Sequence, residues 1–181
     1  MAGSITRKAI IDSYMKLVKT VPFNKITVGD IAEEAGINRQ TFYYHFRDII
    51  DLLTESTKEY VLKELDGEDD FSNSMMKLYA IMLRHSSSIL NVYHHVEVNE
   101  FKHRMNDIIL PIATFLVDAA SGDIPLSDED YDIAVKYTTS MTATFIIEWI
   151  DKGMYKDPEK FSRFADLLES NMKNTIEFLR S

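Results

Sequence analysis

The stretch TVGDIAEEAGINRQTFYYHF, residues 27–46, predicts two short helices joined by a tight turn. Thr27 is a favourable N-cap residue, and Asp30 stands three positions later in an arrangement like a capping box. Gly36 is expected to end the first helix, because glycine adopts a left-handed backbone without strain. Asn38 is expected to cap the second helix. These signals together predict a helix-turn-helix unit.

The two faces of the second helix differ in chemistry. Phe42 and Phe46 are four residues apart, so they point the same way and are expected to be buried. Gln40 and Tyr44 lie nearly opposite Phe42, since each residue advances about 100° around a helix. The outward residues are Arg39, Gln40, Thr41, Tyr43, Tyr44 and His45. This face has hydrogen-bond donors and aromatic rings but no carboxylate, which suits a helix that lies in the major groove of DNA.

An ordinary helical hairpin with a polar outer face is the alternative interpretation, because periodicity alone does not exclude it. The residues themselves resemble the helix-turn-helix of the TetR (tetracycline-repressor) family of bacterial transcription regulators. The matching positions are Thr27, Ile31, Ala32, Ala35, Gly36, Ile37, Thr41, Phe42, Tyr43, His45, Phe46, Leu52 and Leu53. The resemblance is detailed over residues 5–55. Beyond them it rests on chain length and an all-helical pattern.

The resemblance implies an all-α fold in two parts. Residues 1–47 would form an N-terminal three-helix head that binds DNA, and residues 48–181 would form a helical-bundle body that binds an effector and dimerises. The residues expected to hold phosphates are Thr27, Thr41, Tyr43 and His45. The residues expected to read bases are Arg39, Gln40 and Tyr44.

Two positions depart from the family pattern. Ile49 stands where the family usually has a lysine that contacts a phosphate, so that contact is either missing or supplied by Arg47 or Lys25. Gln40 stands where a small residue is common. Its amide either reads adenine or faces solvent.

The charge of the chain is unevenly distributed. The 181 residues carry a net charge of −9. Residues 1–50 hold seven Lys/Arg against five Asp/Glu, whereas the rest of the chain holds thirteen against twenty-four. An acidic body with a mildly basic end would orient the molecule on DNA and suppress non-specific binding. The alternative is that the acidity serves only solubility.

The rest of the composition excludes several classes of protein. There is no cysteine, hence no disulfide and no thiolate metal site. No run of eighteen apolar residues is present, and the N-terminus lacks the apolar region of a signal peptide. The predicted location is therefore the cytoplasm.

The remaining helices are predicted from apolar periodicity and breaker residues. Residues 1–4 are expected to be a loose tail before a helix over 5–20. Pro111 is expected to kink or restart a helix over 97–120, because proline lacks a backbone donor. The other predicted helices span residues 48–65, 71–84, 89–93, 127–152 and 157–179, with interruptions over 66–70, 85–88 and 121–125.

The last two helices are expected to build a dimer as a four-helix bundle. The predicted interface residues are Phe145, Trp149, Phe161, Leu168, Met172 and Ile176. The alternative is that these helices pack only within one chain. A dimer would present two heads to major grooves one turn apart, about 34–36 Å.

Methionine and aromatic residues in the body usually mean core packing, and that is the first interpretation here. In a TetR-like protein the same segments can also enclose an effector pocket. The residues predicted to line it are Tyr79, Met82, Met105, Phe115, Met141, Phe145 and Trp149. The effector is either a small molecule or a partner protein. The run FYYHF with Asp48 and Ile49 resembles a branch that includes regulators of dihydroxyacetone-kinase genes, which work with a protein partner.

No motif indicates a cofactor, a metal or an enzyme. His94 and His95 are adjacent, so with Glu97 or His103 they lack the i, i+4 spacing that holds zinc on a helix. No phosphate-binding loop, nucleophile elbow or dinucleotide fingerprint is present. The predicted function is a DNA-binding regulator that acts as a homodimer on a palindromic operator. The alternative is a helical adaptor that has lost DNA binding and whose body binds a partner protein, favoured by Ile49.

Overall fold

The computed structural model describes residues 2–65, 71–122 and 126–181, and over these ranges the chain is all helical. The elements are α1 Ala2–Leu17, α2 Val28–Glu34, α3 Arg39–His45, α4 Ile49–Leu65, α5 Phe71–Arg84, α6 Ser86–Tyr93, α7 Val98–Ser121, α8 Asp128–Asp151 and α9 Pro158–Leu179, with a 3-10 turn at Phe23–Lys25. Within these ranges there is no strand, and no helix is long and apolar enough to cross a membrane. The breaks predicted at 66–70 and 123–125 lie outside the described residues.

Helices α1, α2 and α3 form the head. α2 packs against both α1 and α3. The centre of the head holds Ile10, Tyr14, Ile31 and Phe42, each fully buried. Phe46, the residue after α3, is also buried in this core. Two seven-residue helices cannot hold their shape alone, so the long α1 is what makes the pair stable.

The start of α1 corrects the prediction of a loose tail over residues 1–4. Helix α1 already includes Ala2, Gly3 and Ser4. A Cβ added at Gly3 would lie 3.9 Å from His45 Cε1. The first turn of α1 therefore lies beside the end of α3, and this tertiary contact is invisible to local sequence rules.

Helix α7 is the centre of the body and packs along α8, α4 and α9. It runs through Pro111 without restarting, so of the two predicted alternatives, a kink or a restart, the restart is wrong. Residues on both sides of the proline are deeply buried, including Ile109 and Ile112. This burial on three neighbouring helices outweighs the one backbone hydrogen bond that proline removes.

The interruption predicted over residues 85–88 is shorter than expected. Only His85 separates α5 from α6, and α6 begins at Ser86. The His85 carbonyl accepts hydrogen bonds from the amides of Ser88 and Ile89, which starts the new helix at once. A run of serines is compatible with the first turn of a helix, where their backbone amides need no intrahelical acceptor.

The two C-terminal helices begin as predicted. The Ser127 side chain caps α8 and the Asp157 side chain caps α9, with Pro158 at the first position. The apolar stripe of α9 then packs on α5 and α8 of the same chain. The predicted interface residues Phe161, Leu168, Met172 and Ile176 are all at most 2% exposed. Their side chains form the core of a single chain.

Candidate nucleic-acid interface

The first helix of the motif begins with a complete capping box. The Thr27 hydroxyl accepts a hydrogen bond from the Asp30 amide at 3.2 Å. In return Asp30 Oδ2 accepts from the Thr27 amide at 2.8 Å and from the Thr27 hydroxyl at 2.7 Å. These hydrogen bonds from Thr27 lower the pKa of Asp30. The box orients Thr27 at the start of α2, where free amides favour an anion.

The turn between the helices follows the predicted chemistry. Gly36 has φ +66°, in the left-handed region, and the Ile37 amide donates to the Ala32 carbonyl at 2.9 Å. Asn38 Oδ1 then accepts from the Thr41 amide at 2.8 Å and from the Thr41 hydroxyl at 3.0 Å. The Thr41 hydroxyl is thus held by the cap of α3.

The two faces of α3 separate as expected. Phe42 is fully buried, and its ring centroid lies 5.9 Å from that of Phe46. On the opposite side Tyr43 is 58% exposed and Tyr44 is 84% exposed. Gln40 is also exposed. The Tyr43 ring packs edge-on against Phe42 at 5.6 Å, but more than half of each tyrosine remains exposed, so this face is available to a partner.

Arg39 and His45 take positions that the sequence did not indicate. The guanidinium of Arg39 lies on α2, so near Gly29 that a Cβ there would be 2.5 Å from Nη2. His45 is half-buried, with Tyr44 edge-on at 5.1 Å. Arg39 thus packs against α2, whereas Gln40 and Tyr44 project into solvent.

Three of the basic residues near the motif are paired within the chain. Arg47 donates to Asp51 Oδ1 from Nε at 3.1 Å and from Nη2 at 2.7 Å. Arg7 pairs with Glu59 at 2.5 Å and lies 5.0 Å from the centre of the Phe46 ring. Lys16 pairs with Glu34 at 2.5 Å.

Burial works to raise the pKa of Asp51, but the hydrogen bonds from Arg47 outweigh it and the pKa is lowered. The same hydrogen bonds raise the pKa of Arg47. Ile49 is half-buried against the core. Of the two proposed substitutes for the missing lysine, Lys25 is exposed with no side-chain partner among the described residues, whereas Arg47 is paired.

The residues predicted to line an effector pocket do not surround one cleft, although the rings of Tyr79 and Trp149 pack with centroids 5.3 Å apart. Tyr79, Met82, Met105 and Trp149 are buried in the core, Met141 and Phe145 are half-buried, and Phe115 is 38% exposed. A cleft of about 270 Å³ opens where α8 ends and α9 begins. It is lined by Phe145, Glu148, Trp149, Lys152, Tyr155, Asp157, Lys160 and Phe161. Only Phe145 and Trp149 belong to both sets.

The cleft has an aromatic floor and a charged rim. Trp149 and Phe161 pack at 5.5 Å between ring centroids, and the Trp149 indole donates to the Tyr155 carbonyl at 2.9 Å. Lys160 donates to the Tyr155 hydroxyl at 2.7 Å, and this hydrogen bond raises the pKa of Lys160. Phe161 was assigned from the sequence to a dimer seam. Its position in the cleft depends on the turn after α8, which periodicity does not describe.

The described part of the chain contains no group of three or more His, Asp or Glu residues arranged to hold a metal ion. His94 and His95 are both exposed. His95 Nδ1 lies 2.6 Å from the Asn91 carbonyl of its own helix.

A capped helix-turn-helix on an all-helical body defines a DNA-binding transcription regulator. The sequence profile described as "Bacterial regulatory proteins, tetR family" matches residues 10–55, and the profile described as "Transcriptional regulator C-terminal region" of the same family matches residues 69–174. The chain therefore belongs to the TetR family. An uncharacterized HTH-type transcriptional regulator of Haemophilus influenzae is 24% identical over 125 residues, which cover 57% of this chain and 61% of that protein. The chain thus spans less than two thirds of the length of this relative.

Solved structures share the fold at low identity. The dihydroxyacetone kinase operon activator DhaS aligns with a TM-score of 0.61 at 21% identity, over 93% of this chain and 97% of that one. A transcriptional regulator from Rhodococcus sp. Rha1 gives 0.56 at 11% identity, over 93% and 96%. The fatty acid degradation regulator FadR from Bacillus halodurans gives 0.52 at 15% identity, over 93% and 94%.

Proposed function

We propose that the chain is a homodimeric regulator that binds a palindromic DNA operator through α3. The observation that carries the proposal is the outer face of α3, where Gln40, Tyr43 and Tyr44 project into solvent from a helix whose opposite face is fully buried. Hydroxyl and amide groups on such a rigid helix can contact phosphates and base edges together. Since its proposed partner is an operator in bacterial DNA, the cytoplasm is proposed as its location.

The positioning and reading roles can be separated by experiment. Bound duplexes are selected from a random library by the purified protein, and an inverted repeat with half-sites about one turn apart is expected. Tyr43→Phe should weaken binding to every sequence, because it removes a phosphate contact. Gln40→Ala should relax the preference at one or two base pairs only. Equal weakening of all sequences by both variants would contradict this division of roles.

A second copy of the chain is proposed to cover the exposed apolar side chains of α8 and α9. Ile133 is 45% and Tyr137 40% exposed on α8, and Leu167 is 56% and Phe178 76% exposed on α9. Leu167 and Phe178 are eleven residues apart, which brings them to the same face after three turns. This face replaces the buried stripe of α9 as the proposed interface, and Phe145 and Trp149 then belong to the cleft.

The proposed interface is tested by mass measurement in solution. Leu167→Glu should convert the dimer to a monomer, because a charge would be buried at the contact. Glu177→Lys is a suitable control, since Glu177 is exposed on α9 and its charge can stay in solvent. A dimer that persists in Leu167→Glu would show that the contact lies elsewhere.

The cleft between α8 and α9 is proposed as the site of a small-molecule effector. Aromatic rings on its floor and lysines on its rim suit a flat molecule with a polar end. Trp149 is the single tryptophan of the chain and lies in this cleft, so its fluorescence reports occupancy directly. Compounds that shift the fluorescence should also change operator affinity. Compounds that release DNA without any change in the Trp149 signal would place the effector site elsewhere.

The second candidate function is an adaptor whose body binds a partner protein. It is favoured by the internal pairing of Arg7, Lys16 and Arg47, and by Ile49 at the position of a usual lysine. Salt dependence separates the candidates, since the logarithm of affinity for DNA falls with that of salt with a slope of about −0.9 per phosphate contact. An adaptor would show no saturable binding to any selected duplex.

A further inference from the structure

One side chain of the body holds the backbone of the head at three points. Asn91 lies on α6. Its Nδ2 donates to the Val18 carbonyl at 2.9 Å and to the Val21 carbonyl at 2.8 Å. Its Oδ1 accepts from the Phe23 amide at 3.0 Å. The neutral amide of Asn91 supplies the two N–H donors and the carbonyl acceptor that these three contacts require.

The three backbone groups have few alternatives. Val18 follows the last residue of α1, where carbonyls lack an intrahelical donor. Val21 lies between α1 and the 3-10 turn, so its carbonyl has no intrahelical donor. Phe23 begins the 3-10 turn, where the first amides lack an intrahelical acceptor. The contacts are partly buried, so these groups would otherwise remain incompletely satisfied. Asn91 therefore specifies how the end of α1 sits on α6.

The head and the body share one hydrophobic core, but the described ion pair between α1 and α4 is a weaker link than the Asn91 contacts. The most extensive helix contacts lie either within the head or within the body. The Arg7–Glu59 pair joins α1 to α4, but the side chain of Glu59 is 58% exposed and such pairs are worth little. Without Asn91 the head would be held mainly by its chain connection through α4 and the shared core.

The same end of α6 is also tied to the body. Two residues beyond Asn91, the Tyr93 hydroxyl donates to Asp151 Oδ1 at 2.5 Å. Asp151 is the last residue of α8, and its neighbour Lys152 lines the cleft. Helix α6 thus contacts the head through Asn91 and, through Tyr93, the residue that precedes Lys152 of the cleft.

We infer that Asn91 is a positioning residue, which fixes the angle of the head on the body and thereby the distance between the two α3 helices of a dimer. The inference about DNA spacing rests on the proposed function, whereas the inference about the angle does not. In this arrangement a change at the end of α8 moves α6, and α6 carries the end of α1 with it. The equilibrium shifts only if the cleft binds its ligand differently in the two head positions.

The angle is tested without DNA by distances between two labels. The chain has no cysteine, so Glu33→Cys on α2 and Lys102→Cys on α7 give unique label sites, both at exposed positions. The labelled chain is diluted into excess unlabelled chain, so that distances within one chain dominate. Asn91→Ala should widen the distance distribution at least twofold. Asn106→Ala, an exposed asparagine on α7, should leave it unchanged. Equal widths in wild type and Asn91→Ala would overturn the inference.

A measurement on the unmodified chain covers the case in which Asn91→Ala does not fold. The Phe23 amide should exchange its hydrogen far more slowly than an unprotected amide, because Asn91 is its acceptor. Exchange at the unprotected rate would show that the contact is not held in solution. Asn91→Asp keeps this acceptor but sets a carboxylate oxygen against two carbonyls, so it should also widen the label distances.

The consequence for DNA binding is tested with the selected operator at several half-site spacings. Wild type should lose at least tenfold in affinity when the spacing changes by two base pairs. In Asn91→Ala the affinity at the natural spacing should fall about tenfold and the dependence on spacing should drop below threefold. A uniform loss at every spacing would mean a purely structural role for Asn91. If wild type selects no duplex, the proposed function fails, and the label distances still decide the role of Asn91.

Discussion

The head and the body reach stable helices by different routes. In the head, α2 and α3 have seven residues each, and both begin with a side-chain cap and meet at a left-handed glycine. In the body, α7, α8 and α9 have 22 to 24 residues and bury long apolar stripes. Short helices have little internal cooperativity and depend on their ends, whereas long helices depend on burial.

This difference predicts which substitutions alter the position of α3. A lost cap or turn residue in the head alters the presentation of α3 directly. The same loss in the body is spread over several turns of packed helix. Matched pairs of variants in the two regions can therefore separate damage to stability from damage to DNA binding.

The largest effect is expected from removing a core ring. Phe42→Ala in the head and Phe161→Ala in the body each delete a side chain that is at most 2% exposed. Each should cost about 3–5 kcal/mol in the free energy of unfolding, because the cavities collapse only in part. Urea unfolding measures the loss. At a temperature where both remain folded, Phe42→Ala should lose DNA binding far more than Phe161→Ala. Equal losses of affinity would show that the head is no more sensitive than the body.

A smaller effect is expected at the left-handed glycines. Gly36 has φ +66° in the head and Gly153 has φ +82° in the body, and an added Cβ meets no atom within 4 Å at either position. Alanine at each should cost about 1–2 kcal/mol from backbone strain alone. Thermal unfolding should show similar losses, but only Gly36→Ala should reduce operator affinity. Asparagine at Gly36 should recover part of the lost stability and part of the lost operator affinity. If neither is recovered, the cause is not the backbone angle.

Loss of a single cap is expected to cost about 1 kcal/mol. Asn38→Ala removes the cap of α3 and frees the Thr41 hydroxyl, whereas Asp157→Ala removes the cap of α9. Both should lower the unfolding midpoint slightly. Amide exchange in the first turn of α3 should accelerate in Asn38→Ala, and DNA affinity should fall. If Asp157→Ala weakens DNA binding as much, capping is not the feature that distinguishes the head.

The smallest effect is expected from pH. The pKa of Asp51 is lowered in the folded chain, so its contribution to stability is present above the unfolded value of 3.8 and is lost as the pH falls through the folded value. The difference in free energy of unfolding between wild type and Asp51→Asn should therefore become smaller as the pH is lowered. Glu148 also has a lowered pKa through its hydrogen bond from Lys152, but both partners are largely exposed. Glu148→Gln should leave the acid unfolding curve unchanged, and a larger effect there than at Asp51 would contradict this ranking.

The head was predictable because its signals are local. Thr27, Gly36 and Asn38 act through atoms within four residues of themselves, so the sequence alone specified the caps and the turn. The position of Arg39 was not predictable in this way. Its guanidinium rests on Gly29, a contact that depends on how α3 crosses α2.

The body was predictable in class and less so in detail. The stripe of α9 correctly indicated a buried face, but periodicity does not tell a partner in the same chain from one in a second copy. Pro111 was expected to kink or restart a helix, and α7 does not restart there because it is buried against its neighbours. Asn91 belongs to no motif, and its three bonds to residues about 70 positions away could be found only in the folded chain.

The length of α3 limits how much sequence information the protein can read. Seven residues at a rise of about 1.5 Å each make a rod of about 10 Å. That length matches about three base pairs of duplex at about 3.4 Å each. Two such helices would specify about six base pairs, a word that recurs by chance about once in 4,000 base pairs, far more often than a regulator of few genes requires. A single three-base-pair half-site recurs about once in 64 base pairs, so in the proposed dimer the fixed separation of the two α3 helices is what joins two half-sites into one six-base-pair site.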